Sequence, residues 1–164
     1  MSETLYPIEV EVNGIRRTAR VPARLTLVDW LREELRLTGT HVGCEHGICG
    51  ACSVMLDGQP VRSCLIYAVQ ADGHRVTTVE GLARPDGSPG VLQDAFCETH
   101  ALQCGYCTPG MLIAARALLD AEPRPSAEQI RDAIGGNLCR CTGYQQIVDA
   151  VKLASERLAA ADKP

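Results

Sequence analysis

The stretch "GCEHGICGAC", residues 43–52, sets three cysteines, Cys44, Cys49 and Cys52, among residues small enough to leave the backbone free, and nothing else in the chain restricts its folding as much. Six more follow at Cys64, Cys97, Cys104, Cys107, Cys139 and Cys141, nine in a chain of 164 residues. Thiols at this density form a disulfide framework, a zinc site, a redox dithiol or the ligands of an iron-sulfur centre. The odd total weighs against complete pairing. The N-terminal "MSETLYPIEVEVNG" has no basic flank, apolar segment or small-residue cleavage site of a secretion signal, so a cytoplasmic location is expected. There, closely spaced cysteines bind metal or do redox chemistry more often than they form structural disulfides.

The hydrophobic pattern divides the chain in two. In residues 1–82, "IEVEV" and "IRRTARV" alternate apolar and polar positions around Asn13-Gly14, a type I′ hairpin signal. Thr26 is expected to cap a helix with Leu27, Trp30, Leu31 and Leu35 on one face, stopping at Gly39. "SVML", the turn Asp57-Gly58 and "RVTTVEGL" supply further short strands, so this half reads as a small sheet carrying one helix. "ARPDGSPG" at 83–90 has linker composition, and residues 83–164 read as helices. The first of these covers "VLQDAFCETHAL". Another is capped by Thr108 with Pro109 at its first position and has Met111, Ala114, Ala115, Leu118 and Leu119 on one face. Ser126 and Gln129 form a capping box for a third, ended by Gly135-Gly136, and a fourth from Gln145 aligns Ile147, Ala150, Val151, Ala154 and Leu158. Four short helices with one apolar face each form a small bundle. The fold class expected is α+β.

This division separates the cysteines into two sets. Cys44, Cys49, Cys52 and Cys64 follow the C-x4-C-x2-C…C spacing of a plant-type 2Fe-2S site. A cluster bound by four thiolates presses negative charge against the chain, so its loop must wrap closely and aim N–H groups at sulfur. Gly43, Gly47, Gly50 and Ala51 remove side chains that would block that approach. Zinc competes, although its four-cysteine sites usually pair short C-x2-C knuckles. Cys104, Cys107, Cys139 and Cys141 combine C-x2-C with a distant C-x-C, and spacing alone leaves zinc and a cluster both open. A mixed arrangement of Cys44, His46, Cys97 and His100 is similar to the ligands of a Rieske centre. It would strand Cys49, Cys52 and Cys64 and bridge the two halves. His46 is therefore read as a loop residue beside the thiols, Cys97 as a buried small hydrophobe, and His41 and His74 as solvated loop positions.

"GCEHGICGACSV" with Cys64, followed by "QCGYCTPGM" and "GGNLCRCTGY", resembles the small iron-sulfur subunit of the molybdenum hydroxylases, the family of xanthine dehydrogenase, carbon monoxide dehydrogenase and the aldehyde and N-heterocycle oxidoreductases. The resemblance covers nearly the whole chain, with Ser53 where Thr is common. It implies a β-grasp ferredoxin-like domain (1–82) with one 2Fe-2S cluster on Cys44, Cys49, Cys52 and Cys64. It also implies a four-helix-bundle domain (83–164) with a second on Cys104, Cys107, Cys139 and Cys141. Gln103 and Cys139 are implied to lie beside the molybdopterin of a large partner subunit. Electrons then pass singly to FAD in a medium subunit or to another acceptor, in an assembly expected to be a dimer of heterotrimers. The substrate implied is an N-heterocycle, an aldehyde, CO or an aromatic acyl-CoA, transformed on the large subunit.

The residues themselves exclude several roles. A net charge of -4 argues against nucleic acid, and no apolar run approaches the roughly 20 residues that span a bilayer. There is no acid-base or nucleophilic constellation and no Gly-rich dinucleotide loop after a strand. The chain reads as an enzyme component without activity of its own. A free-standing two-cluster ferredoxin and a zinc-bound interaction module are the alternatives.

Overall fold

Asn13 and Gly14 fix the first element of the computed structural model, which describes residues 3–161. Both have positive φ, 51° and 76°, the turn whose twist suits a two-residue hairpin. It joins β1 (Leu5–Val12) to β2 (Ile15–Pro22) in antiparallel register, Val12 opposite Ile15. β3 (Ser53–Leu56) and β4 (Gln59–Arg62) repeat the device across Asp57 and Gly58, at φ 48° and 81°. The two hairpins are joined by β5 (Arg75–Thr77), parallel to β1 and antiparallel to β3, giving a mixed sheet in the order β2-β1-β5-β3-β4. Ile8, Val10, Val12, Val21, Val54 and Val76 point from one face onto Leu27, Trp30 and Leu31 of the helix.

That helix is shorter than the pattern of apolar residues implies. Thr26 caps it as expected, its hydroxyl oxygen accepting the Asp29 N–H at 3.2 Å. α1 (Leu27–Asp29) then widens into a π turn (Trp30–Glu34), in which the Leu35 N–H reaches the Trp30 carbonyl at 3.1 Å. The helix stops before Arg36, which takes φ 58°, so Gly39 is not the terminator. Gly39 is small for another reason: a Cβ there would sit 2.6 Å from Val79 Cγ1, and its N–H donates to Glu80 Oε1 at 2.8 Å.

The second half holds α2 (Val91–Glu98), α3 (Thr108–Ala121), α4 (Ala127–Ile134) and α5 (Gln145–Ala161). They share a core of Leu92, Phe96, Met111, Leu119, Ile130, Ile147 and Val151. The Ser126–Gln129 capping box forms, with reciprocal bonds of 2.8 and 3.2 Å. Three expectations need correction. Cys97 is exposed, because Leu92, Ala95 and Phe96 turn the face of α2 one residue away from it toward the core. Leu158 is 39% exposed, since α5 runs past the end of the core. The N-cap of α3 is Cys107, which places Thr108 at the first position and Pro109 at the second. Among the described residues no helix is long and apolar enough to cross a membrane.

Candidate functional site

The loop between α1 and β3 wraps on itself and brings Cys44 and Cys49 together. Cys44 Sγ accepts the backbone N–H groups of His46 and Cys49, each at 3.4 Å. The Cys49 N–H and then that of His46 hold this thiol down to about 6. Cys64 approaches Cys52 from the turn after β4, tied there by Ser63, whose hydroxyl donates to the Cys52 carbonyl at 2.6 Å. Burial pushes Cys64 up to about 11, against the Gly47 N–H that it accepts. Gly47 itself takes φ 75°, and a side chain there would run into Leu65. At Gly43 the reason for smallness is proximity: a Cβ would lie 3.0 Å from Cys49 Sγ.

The second set gathers in the same way from two distant segments. Cys104 lies in the loop leading into α3, and its Sγ is 3.6 Å from Cys141 Sγ. Cys107 meets Cys139, which precedes α5. Burial raises Cys107 to about 12, so this thiol keeps its proton unless a metal cation replaces it. Burial also pushes Cys139 up, but the Thr142 hydroxyl (3.1 Å) and N–H (3.4 Å) at its sulfur outweigh that and bring it down overall. The four thiols line a cavity of about 230 Å3, which Arg140, Leu138 and Tyr106 also border.

The chemistry of the donors can be read from their grouping. In both sets the thiols stand two and two: Cys44 with Cys49 and Cys52 with Cys64, Cys104 with Cys141 and Cys107 with Cys139. Tetrahedral zinc needs four sulfurs around one point at about 2.3 Å, and among the described residues no three His, Cys, Asp or Glu side chains gather so. A binuclear iron core needs one pair of sulfurs at each end, and the pairs fit that requirement. The Rieske-like set does not assemble, since Cys97 is exposed on α2 and, among the described residues, no three His, Cys, Asp or Glu side chains gather around one point.

The two sets are held against each other by a seam that the sequence did not disclose. Gly50, at φ 76°, is pressed on Gly136 and Asn137: a Cβ would stand 2.8 Å from the Gly136 carbonyl oxygen and 2.7 Å from Asn137 Cγ. The buried Asn137 donates through Nδ2 to the Gly50 carbonyl at 3.1 Å. Arg62 reaches Ser53 Oγ (2.6 Å), the Gly136 carbonyl (2.6 Å) and Asn137 Oδ1 (3.3 Å). Next in line, the Leu138 N–H donates to the Cys49 carbonyl at 2.8 Å. Residues 136–138 are thus stitched to 49 and 50, so that Cys49 and Cys139 stand at the two ends of one hydrogen-bonded bridge. His41, expected as solvated surface, instead stacks on Tyr106 with ring centroids 4.8 Å apart. His74 faces Asp57, their Nδ1 and Oδ2 separated by 2.6 Å. Gln103 donates through Nε2 to the Cys141 carbonyl at 3.0 Å.

Comparison with known proteins matches both halves. A family of 2Fe-2S iron-sulfur cluster binding domains matches residues 10–83, and a family of 2Fe-2S binding domains matches residues 78–152. The chain is 57% identical to the nicotine 6-hydroxylase small subunit of Paenarthrobacter nicotinovorans over 88% of its own length and 86% of the relative's. It is 56% identical to the caffeine dehydrogenase subunit gamma of Pseudomonas sp. (strain CBB1), covering 92% and 91%. Among solved structures, quinoline 2-oxidoreductase from Pseudomonas putida 86 superposes with a TM-score of 0.92 at 46% identity, covering 98% of this chain and 100% of that one. Aldehyde oxidoreductase from Desulfovibrio gigas superposes with a TM-score of 0.90 at 44% identity, but there the matched region is 18% of a longer chain.

Proposed function

This chain belongs to the small iron-sulfur subunits of the molybdenum hydroxylases, and on that premise we propose that it is the electron relay of such a complex, between a large molybdopterin-bearing subunit and a medium FAD-bearing subunit or another acceptor. Residues 1–82 form the β-grasp ferredoxin-like domain, in which Cys44, Cys49, Cys52 and Cys64 would hold one 2Fe-2S cluster. Residues 83–164 form the four-helix-bundle domain, in which Cys104, Cys107, Cys139 and Cys141 would hold the other. The two-and-two pairing of the thiols carries this reading. A 2Fe-2S core supplies acceptance and release of one electron at a time.

The chain's own groups hold and connect the two sets. Backbone N–H groups at Cys44, Cys64 and Cys139 stabilise the thiolate form of the sulfurs. The Leu138 N–H to Cys49 carbonyl bond joins the two sets through backbone and one hydrogen bond. Gln103, anchored to the Cys141 carbonyl, and Cys139 form the face turned to the pterin of the large subunit. Similarity to small subunits of enzymes named for nicotine and caffeine supports an N-heterocycle as substrate, ahead of an aldehyde, CO or an aromatic acyl-CoA. A cytoplasmic dimer of heterotrimers is the assembly we propose.

Metal analysis and EPR of the purified chain test this reading. About four iron and about four acid-labile sulfide per chain are expected, with two distinct 2Fe-2S signals on reduction. Stoichiometric zinc, or a single signal at full iron occupancy, would overturn it.

A further inference from the structure

The second thiol set rests on two arms, and the hydrogen bonds of the seam described above secure only one of them; the other is met by the seam only beyond its end, where a Cβ at Gly110 of α3 would run into the Gly50 carbonyl oxygen. Residues 136–138, leading to Cys139, are bound to the first half by Leu138, Asn137 and Arg62. The other arm, Cys104–Cys107, is a loop exposed at Cys104 and Tyr106 and half-buried at Cys107, whose turn depends on Gly105 at φ 81°. Such loops open locally at little cost unless something ties them down. Among the described residues, the hydrogen bonds that reach this arm from the first half both involve Tyr106. Its carbonyl accepts from His41 Nδ1 at 2.9 Å, and its hydroxyl donates to the Val42 carbonyl. A carbonyl can only accept, so the proton of the imidazole lies on Nδ1. The two rings stack at an interplanar angle of 27°. The Tyr106 ring also covers Gly43: a Cβ at Gly43 would lie 3.8 Å from Tyr106 Cε1 and 3.0 Å from Cys49 Sγ. The Tyr106 ring therefore covers the backbone beside the first thiol set while belonging to the loop that carries the second, and His41 holds it there.

We propose that His41 and Tyr106 form a clamp that positions the Cys104–Cys107 arm against the first thiol set and so sets the rate of electron passage between the two. Neither is a catalytic residue; both act through the placement of the loop. The inference rests on the relay reading above, and its consequence is specific: opening the clamp leaves each cluster intact and alters only what depends on their separation and mutual orientation.

The test uses the full chain with both clusters, as wild type and as His41→Ala, Tyr106→Leu and Tyr106→Phe. Iron content, the two individual EPR signals, the magnetic splitting between the reduced clusters and the rate of intercluster equilibration after rapid reduction are measured. In His41→Ala and Tyr106→Leu, iron and both signals should be retained, while the splitting weakens or broadens and equilibration slows severalfold. Tyr106→Phe keeps the stack and the bond from His41, so its change should be smaller. The double variant His41→Ala/Tyr106→Leu should go further than either single one, because each single variant leaves one of the two hydrogen bonds in place. If a variant loses the second cluster outright, Tyr106→Phe and His41→Gln decide the matter by the same splitting and rate. Unchanged splitting and rate in variants that retain both clusters would overturn the clamp. A wild-type chain without two signals would overturn the relay reading instead.

Discussion

The ninth cysteine separates ligand thiols from a bystander. Cys97 lies on the solvent side of α2, outside both pairs of pairs, whereas Cys104 and Cys141 are in contact with each other. Replacing an exposed residue away from caps and networks changes stability by about 0.5 kcal/mol or less. Cys97→Ala is expected to keep both EPR signals and the wild-type unfolding midpoint, and Cys104→Ala or Cys141→Ala to lose the second signal alone. Loss of either signal in Cys97→Ala would show the ligand sets to be wrongly drawn. Gly43, Gly47 and Gly50 lie on one loop but are small for different reasons: clearance for the Cys49 sulfur, a left-handed backbone beside Leu65, and contact with Gly136 and Asn137. The sequence marks all three alike, because the letter G records only that a side chain is missing.

Among the helices, α2 and α5 are joined at the surface by a bidentate pair. Arg157 Nη1 and Nη2 bond Glu98 Oε1 and Oε2 at 2.7 and 2.6 Å. The hydrogen bond from Arg157 holds the Glu98 carboxyl below its ordinary value. A carboxylate whose folded value is lowered adds stability above its unfolded value and loses it as the pH falls through the folded one. Glu98→Gln should therefore unfold at a lower temperature than wild type at pH 7. The two melting curves should converge on acidification through and below the usual glutamate range. Both groups are partly exposed, so the difference should also shrink with added salt. An unchanged gap from neutral to strongly acidic pH would refute the assignment. α1 teaches a related point about boundaries. Its apolar spacing is helical through Leu35, yet the π turn and Arg36 at φ 58° end it before Gly39. A glycine at a helix end and a glycine crowded by a neighbouring turn, as Gly39 is by Val79 and Glu80, look the same until the neighbour is placed.

At the scale of the molecule, the seam makes two small cores work as one body, and Arg62 is the charged group at its centre. Arg62→Ala removes its bonds to Ser53 Oγ, the Gly136 carbonyl and Asn137 Oδ1. A buried acceptor left without its donor costs about 1–3 kcal/mol. Urea unfolding followed separately at Trp30, in the first core, and by helical circular dichroism should lose stability by that order. The two probes, coincident in wild type, should separate as the halves uncouple. Coincident curves with an unchanged midpoint would remove Arg62 from this role. Most elements and the chemistry of the first thiol set were legible in the amino-acid order. Asn-Gly and Asp-Gly turns, the Thr26 cap, the Ser126–Gln129 box and the helical apolar faces act over a few residues, and the spacing of Cys44, Cys49, Cys52 and Cys64 points to a cluster, whereas that of the second set leaves zinc and a cluster both open. Tertiary structure alone decided the pairing of thiols from segments 37 residues apart, as at Cys104 and Cys141. It also decided the placement of β5 at the centre of the sheet and the contacts of His41, Arg62 and Asn137 across the seam. Those depend on which surfaces two separately folded cores present to each other, and that information is carried by packing across the whole chain, with no local signature to read.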